Sequence, residues 1–161
     1  MTTQYDSAAD TLLHIKKVNE YLIEFSTELL RRATVHDDSK MVSPEKEAFD
    51  KMTPLLKAST YGSDEYKQNM NEIRPAIDHH QQNNSHHPEY FPNGINGFNL
   101  FDLVEMFMDW KAAGERHADG SIEKSIIHNK KRFNISDQLC EILINTARDM
   151  NWLNHKPEDG K

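Results

Sequence analysis

Cysteine is scarce in this chain of 161 residues, in which Cys140 is the only one. A single thiol excludes an intrachain disulfide and favours a reducing compartment, and the apolar residues around Cys140 predict that it lies in the core. No apolar run approaches the roughly 18 residues that a membrane-spanning helix needs. The first residues also lack the basic and apolar regions of a leader peptide. We therefore expect a soluble cytoplasmic protein.

Positive charge is also scarce: 19 lysines and arginines stand against 26 aspartates and glutamates, for a net charge of -7. A protein that binds extended nucleic acid or anionic membranes needs a basic face, so both partner classes are disfavoured. A pocket for one small phosphorylated molecule remains compatible with this balance. The length indicates one domain over 1–161, with a core at about 7–153 and a polar tail at 154–161.

Strand-like alternation and glycine-rich phosphate loops are absent, whereas apolar residues recur every three or four positions. The chain therefore predicts an all-α, single-domain bundle of six or seven helices. The first helix should begin with a capping box at Ser7 and Asp10, end near Thr34, and turn His14 inward. Pro75 should kink a later helix. Further helices should begin at or just after the capping side chains of Ser43, Ser63 or Asp64, Asn99 and Ser136, and a short polar helix should run from Ser121 to Lys130.

The stretch from His36 to Lys40 combines an imidazole, an adjacent carboxylate and a nearby ammonium. His36 and Asp37 could share a divalent metal, and Lys40 could meet an anionic substrate there. A surface lysine is the alternative for Lys40. Two side chains cannot hold a catalytic metal alone, so this interpretation needs ligands from elsewhere in the chain.

A second stretch contains four of the nine histidines, at positions 79, 80, 86 and 87. Neighbouring residues cannot share one helix face, so one member of each pair, His79/His80 and His86/His87, should face the site. Which member does so stays open at this stage. The alternative is a polar loop with weak surface affinity for metals.

A third group of candidate ligands lies on one predicted helix. Asp102, Glu105 and Asp109 share one side of it, which is either solvated or turned towards a cation. Asp109, between Met108 and Trp110, is our choice for the inward carboxylate, and Asp102 is its rival. Glu89 and Glu105 are candidates to orient the ligand histidines.

The order His14, His36-Asp37, His79/His80, His86/His87 and Asp109 resembles the HD-domain superfamily of helical, metal-dependent phosphohydrolases. The strings His36-Asp37-x-Ser39-Lys40 and His86-His87-Pro88-Glu89 look closest to a bacterial and phage subfamily without an assigned activity. The resemblance implies a primary metal on His14, His36, Asp37 and Asp109. Asp37 would bridge to a second metal held by His80 and by His86 or His87.

This resemblance implies a hydrolase of a small phosphorylated metabolite, such as a nucleotide, in which Asp37 and Lys40 serve catalysis. One or two divalent ions would be needed, from among Mn, Fe, Co, Ni, Zn and Mg. A diiron oxygenase and a non-catalytic metal-binding module are the alternatives. The setting would be the host cytoplasm if the gene belongs to a phage, and oligomers remain compatible with the sequence.

Overall fold

The computed structural model describes residues 5–60, 63–116 and 120–153, and its regular elements over these ranges are all helical. The predicted tail at 154–161 and the centre of the predicted turn at 61–62 lie outside the described residues. The described residues form six α-helices, with short 3-10 turns at Asp38–Met41, Pro88–Tyr90 and Gly94–Gly97. The predicted all-α bundle of six or seven helices is thereby confirmed. The helices are α1 (Ala8–Val35), α2 (Glu45–Ala58), α3 (Asp64–Asn83), α4 (Leu100–Gly114), α5 (Ile122–Phe133) and α6 (Asp137–Asp149).

The helices form two compact units, of which the first ends at His36 and the second begins at Asp37. The first unit contains α1, which has no buried residue, and His14 is exposed on it. The expected inward orientation of His14 is therefore not observed. The predicted capping box at Ser7 is wrong, because the Ser7 side chain makes no capping hydrogen bond. The amide of Ala8 instead donates to the Asp6 carboxylate at 2.9 Å.

The second unit contains two apolar clusters that fix its helices. One joins α2 to α3 through Met52, Ile73 and Ala76. The other joins α4, α5 and α6, and it includes Cys140, as the sequence predicted; its buried members are Phe107, Ile122, Ile126, Ile135, Cys140, Leu143 and Ala147. Burial of about 25 cal/mol per Å² of apolar surface makes these clusters the main source of the unit's stability.

In the second unit, α3, α4 and α6 each begin at a residue whose side chain caps the helix. Asn99 forms a capping box with Asp102 at the start of α4, and Ser63 and Ser136 accept amide hydrogen bonds at the starts of α3 and α6. The predicted start at Ser43 is shifted, because Pro44 is the capping residue and Glu45 opens α2. Pro75 lies inside α3, which runs unbroken from Asp64 to Asn83.

No helix within the described ranges is both long and apolar enough to cross a lipid bilayer.

Adjacent isoleucines on α5 provide a matched test of the larger cluster. Ile126 is 1% exposed and Ile127 is 56% exposed. We expect Ile126→Ala to lower the free energy of unfolding by about 2–5 kcal/mol, because it leaves a cavity in the core. Ile127→Ala should change it by about 0.5 kcal/mol or less. Urea denaturation followed by circular dichroism measures both, and equal losses would contradict this assignment of the core.

Candidate metal centre

Asp37 is placed by an unusual backbone conformation directly after α1. Its φ and ψ are 61° and 14°, in the left-handed region, and it precedes the 3-10 turn Asp38–Met41. Aspartate tolerates this conformation better than most residues with a side chain, because its short polar group causes little crowding. The side chain has one oxygen, Oδ2, at 2.6 Å from the Lys40 ammonium. Its other oxygen, Oδ1, faces the histidines.

His80 reaches Asp37 from the last turn of α3 and is oriented by a buried carboxylate. Its Nδ1 lies 2.9 Å from Glu45 Oε2, and Glu45 is fully buried. Because a carboxylate only accepts hydrogen bonds, the Nδ1–H group of His80 donates to Glu45. The other ring nitrogen, Nε2, lies 3.1 Å from Asp37 Oδ1.

His86 is oriented in the same way by a carboxylate on α4. Its Nδ1 lies 3.2 Å from Glu105 Oε1, and its Nε2 lies 3.5 Å from Asp37 Oδ1. The loop that carries His86 is tied to α4 by Ser85, whose hydroxyl donates to Asp102 at 2.7 Å. His86 is 3% exposed, whereas the two carboxylates beside it, Asp37 and Glu105, are 21% and 14% exposed.

His87 completes the group from the position before Pro88. Its extended backbone (φ -103°, ψ 130°) is the conformation that a following proline favours. Its ring centroid lies 4.3 Å from that of His86 and 4.9 Å from that of His80. The three imidazoles are therefore packed against one another beside the Asp37 carboxylate.

Four ligand atoms converge at this place. One nitrogen each from His80, His86 and His87 and one oxygen of Asp37 all lie within 4.8 Å of one another. Ligands about 2.1 Å from a shared ion lie up to about 4.2 Å apart, so the observed spacing is close to that of a metal site. The buried Nε2 atoms of His80 and His87 have no hydrogen-bond partner within the described ranges. A cation is one partner that both lone pairs would accept.

The three shifted pKa values in the group show how strongly its members interact. Burial opposes ionisation of Asp37, but His80, His86 and Lys40 outweigh it and hold the pKa of the carboxyl well below its usual range. Burial opposes the imidazolium of His86, yet Asp37 and Glu105 raise its pKa to about 9. Burial and the neighbouring positive charges lower the pKa of His87 to about 3.

The donor set is typical of divalent transition metals rather than of calcium or magnesium. Neutral imidazoles suit Zn, Cu, Fe and Ni, whereas hard cations prefer oxygen ligands alone. Carboxylates on the second nitrogen of two imidazoles are the usual outer partners of metal-binding histidines. The residues present therefore fit one such ion.

The structure brings some of the predicted ligands together and leaves others apart. Asp37, His80, His86 and His87 form the group, and both members of the second histidine pair belong to it. His79 turns to Glu45 instead, with its Nδ1 at 2.8 Å from Oε1.

Neither Asp102 nor Asp109 contributes an atom to the group of four formed by described residues. Asp102 is buried and accepts from Ser85 and from the amide of Asn99. Asp109 is half-buried on α4. His14 and His36 belong to the first unit, so their part in a metal site stays a prediction.

Glu45 is the site residue that the sequence did not reveal. In the sequence it is one of two acids in the first turn of a helix, where acids stabilise the helix dipole without any further role. In the structure it accepts from Ser39 Oγ at 2.9 Å and from both members of the first histidine pair. Of the two predicted orienting acids, Glu105 contacts His86, whereas Glu89 pairs with Arg132 at 2.7 Å.

The burial of Glu45 gives a prediction with a neighbouring control. Glu45→Ala leaves three donors without their acceptor, and we expect it to lower the free energy of unfolding by about 2–4 kcal/mol. Glu47→Ala, two residues along the same helix and exposed, should have little effect. Urea denaturation of the metal-free chain measures both, and similar stabilities for the two variants would refute the structural role of Glu45.

The two histidine pKa shifts predict opposite pH dependences in the metal-free protein. The folded-state pKa of His87 lies below its ordinary 6.5, so its contribution to stability is lost as the pH falls from about 6.5 towards 3. The folded-state pKa of His86 lies above 6.5, so its contribution is lost as the pH rises towards 9.

We therefore expect His87→Asn to reduce the loss of stability at acidic pH. His86→Asn should reduce the loss of stability at alkaline pH. Thermal unfolding between pH 4 and 9 in the presence of a chelator measures these changes. His128→Asn, on an exposed position of α5, is the control and should follow the unmodified protein.

Comparison with known proteins bears on the whole chain. No curated protein and no solved structure matches it significantly. One family model matches residues 3–149, which is most of the chain. The chain thus belongs to DUF5662, a family of unknown function.

Proposed function

We propose that this protein is a metal-dependent hydrolase of a small phosphorylated metabolite, with a nucleotide as the first class to test. The single observation that carries the proposal is the convergence of four ligand atoms from Asp37, His80, His86 and His87 within 4.8 Å. Imidazoles and a carboxylate in this arrangement would hold a divalent ion. When bound, such an ion would lower the pKa of a coordinated water and polarise a phosphoryl oxygen.

Solvent access supports catalysis at this place. The histidines His80 and His86 are buried, but the side chains of Asp37 and Lys40 are 21% and 32% exposed. The ligand group is therefore closed on its histidine side and open on its Asp37 side. A substrate would approach along the open side, where the Lys40 ammonium is the first positive charge that it meets.

Lys40 is suited to bind a phosphate beside the ligand group. An ammonium has three N–H donors, and Asp37 Oδ2 at 2.6 Å uses one of them. The remaining N–H groups can donate to a phosphate oxygen, and the contact with Asp37 holds the flexible lysine side chain in place. Lys40 would thus orient the substrate and neutralise part of its charge.

A cleft lined in part by Pro88 supports a nucleotide as the substrate class. It has a volume of about 680 Å³, and its lining includes Pro88, the residue that follows His87. Phe91 and Phe133 offer apolar surface to a base, and Arg132 lies 4.6 Å from the Phe133 ring centre. Aromatic rings and guanidinium groups are common partners of bases and phosphates.

A structural metal site is the second candidate. Four protein ligands complete a tetrahedral shell, which is typical of structural zinc, whereas catalytic zinc usually keeps an open position. This alternative predicts a protein that gains stability from the metal and turns over nothing. The exposed side of Asp37 and Lys40 is the reason that we favour catalysis.

The test combines metal binding with phosphate release from a panel of nucleotides and sugar phosphates. The untagged protein, stripped with a chelator and dialysed against Mn, Co, Ni or Zn, should bind metal and release phosphate. We expect His87→Ala and Asp37→Ala to weaken metal binding by at least about 10- to 100-fold and to abolish release. His128→Ala, with its exposed imidazole on α5, is the matched control and should behave like the unmodified protein.

Two results would contradict the proposal in different ways. Metal binding that His87→Ala and Asp37→Ala leave unchanged would show that the ligand group is wrong. Tight metal binding that raises the melting temperature, with no phosphate release from any substrate, would favour the structural site.

A further inference from the structure

We infer that the group of four ligands holds a single divalent ion, and that the Lys40 ammonium supplies the charge that a second metal would supply in a two-metal site. Its ligand would be a tetrahedral oxyanion, bound jointly by the ion and the ammonium. The inference rests on the proposed metal site and deepens it. It departs from the expectation that Asp37 bridges two metals.

The two oxygens of Asp37 already have different partners. Oδ1 lies 3.1 Å from His80 Nε2 and 3.5 Å from His86 Nε2, on the ligand side. Oδ2 lies 2.6 Å from the Lys40 ammonium. A bridging carboxylate needs one oxygen on each metal, so a second ion at Oδ2 would have to displace the ammonium.

The second nitrogens of two ligand histidines are occupied as well. His80 Nδ1 contacts Glu45 at 2.9 Å, and His86 Nδ1 contacts Glu105 at 3.2 Å. If either nitrogen bound another ion, the imidazole would lose the carboxylate that orients it. The ligand atoms of the group therefore converge on one point.

Lys40 has the charge and the position to bind the substrate oxygens that a second metal would bind. In two-metal sites the second ion lies about 3.5–4 Å from the first and binds the other oxygens of the substrate. The Lys40 ammonium contacts Oδ2 of Asp37, the carboxylate whose Oδ1 would bind the ion. The Lys40 side chain is partly exposed. An ammonium at that point can bind an oxyanion but cannot activate water as a metal does.

A nearby lysine provides a matched control. Lys46 lies 2.6 Å from Asp50, the same distance as Lys40 from Asp37, on an exposed part of α2. Lys46→Met removes an ammonium from a similar ion pair outside the ligand group. Lys40→Met removes it inside the group, and Lys40→Arg keeps the positive charge there.

The experiment measures metal content and anion binding on the untagged full chain. Equilibrium dialysis against Co²⁺ and Mn²⁺, followed by elemental analysis, gives the number of ions per chain. Titration of the Co²⁺ protein with inorganic phosphate, followed by its visible absorption spectrum, gives the affinity for a tetrahedral anion. Neither readout depends on turnover.

We expect one ion per chain in the unmodified protein and in all three variants at metal concentrations near the dissociation constant. Lys40→Met should bind that ion at least as tightly, because it removes a repelling charge, and phosphate about 10-fold or more weakly. Lys40→Arg should retain most of the phosphate affinity, and Lys46→Met should match the unmodified protein.

Two ions per unmodified chain would overturn the inference, and so would unchanged phosphate affinity in Lys40→Met. These failures are distinct from failure of the proposed function. One ion with Lys40-dependent phosphate binding but no turnover would refute hydrolysis and leave the inference intact. Two ions with phosphate release would do the reverse.

Discussion

The candidate metal centre depends on the contacts that hold three imidazoles and a carboxylate together within the second unit. His80 and His86 are each 3% exposed, and their Nε2 atoms point at the same oxygen of Asp37. Burying polar groups is costly unless they are hydrogen-bonded, so such a group persists only where surrounding contacts fix every member. Glu45 on α2 and Glu105 on α4 provide such contacts at the Nδ1 atoms of His80 and His86.

The helices that carry these groups are fixed by apolar packing rather than by the site itself. Met52, Ile73 and Ala76 hold α2 against α3, which places Glu45 opposite His80. The loop with His86 is held to α4 through Ser85 and Asp102. Because Asp102 also belongs to the capping box of α4, one carboxylate fixes both the helix start and the loop. The apolar core and these polar contacts thus position the ligands.

Much of this could be predicted from sequence because it depends on local patterns. Apolar spacing and capping residues such as Asn99 and Ser136 gave the helices, since both act within a few residues. The clustering of histidines and the His-Asp pair identified four members of the group. The pair His79/His80 was separated only by the structure, because the choice between them depends on where α2 places Glu45.

The rest depended on contacts between distant segments. Glu45 lies 35 residues before His80 in sequence and contacts its Nδ1, and no short-range signal reports such a contact. The absence of a capping bond at Ser7 has a local cause, because its φ and ψ of -83° and 3° are not the extended values that are typical of a capping residue. The start of α2 is shifted from Ser43 to Pro44, and Glu45, the first residue of the helix, is buried in contact with His79 and His80.

The left-handed conformation of Asp37 restricts which residues this position can accept. The backbone there, with φ of 61°, disfavours β-branched and bulky side chains, and the ligand group needs a short carboxylate. Asparagine meets the first requirement as well as aspartate does, and it has nearly the same shape. The substitution Asp37→Asn would therefore keep the backbone conformation while removing the negative charge. Natural variation at position 37 should be confined accordingly, with asparagine marking relatives that keep the backbone conformation without this carboxylate.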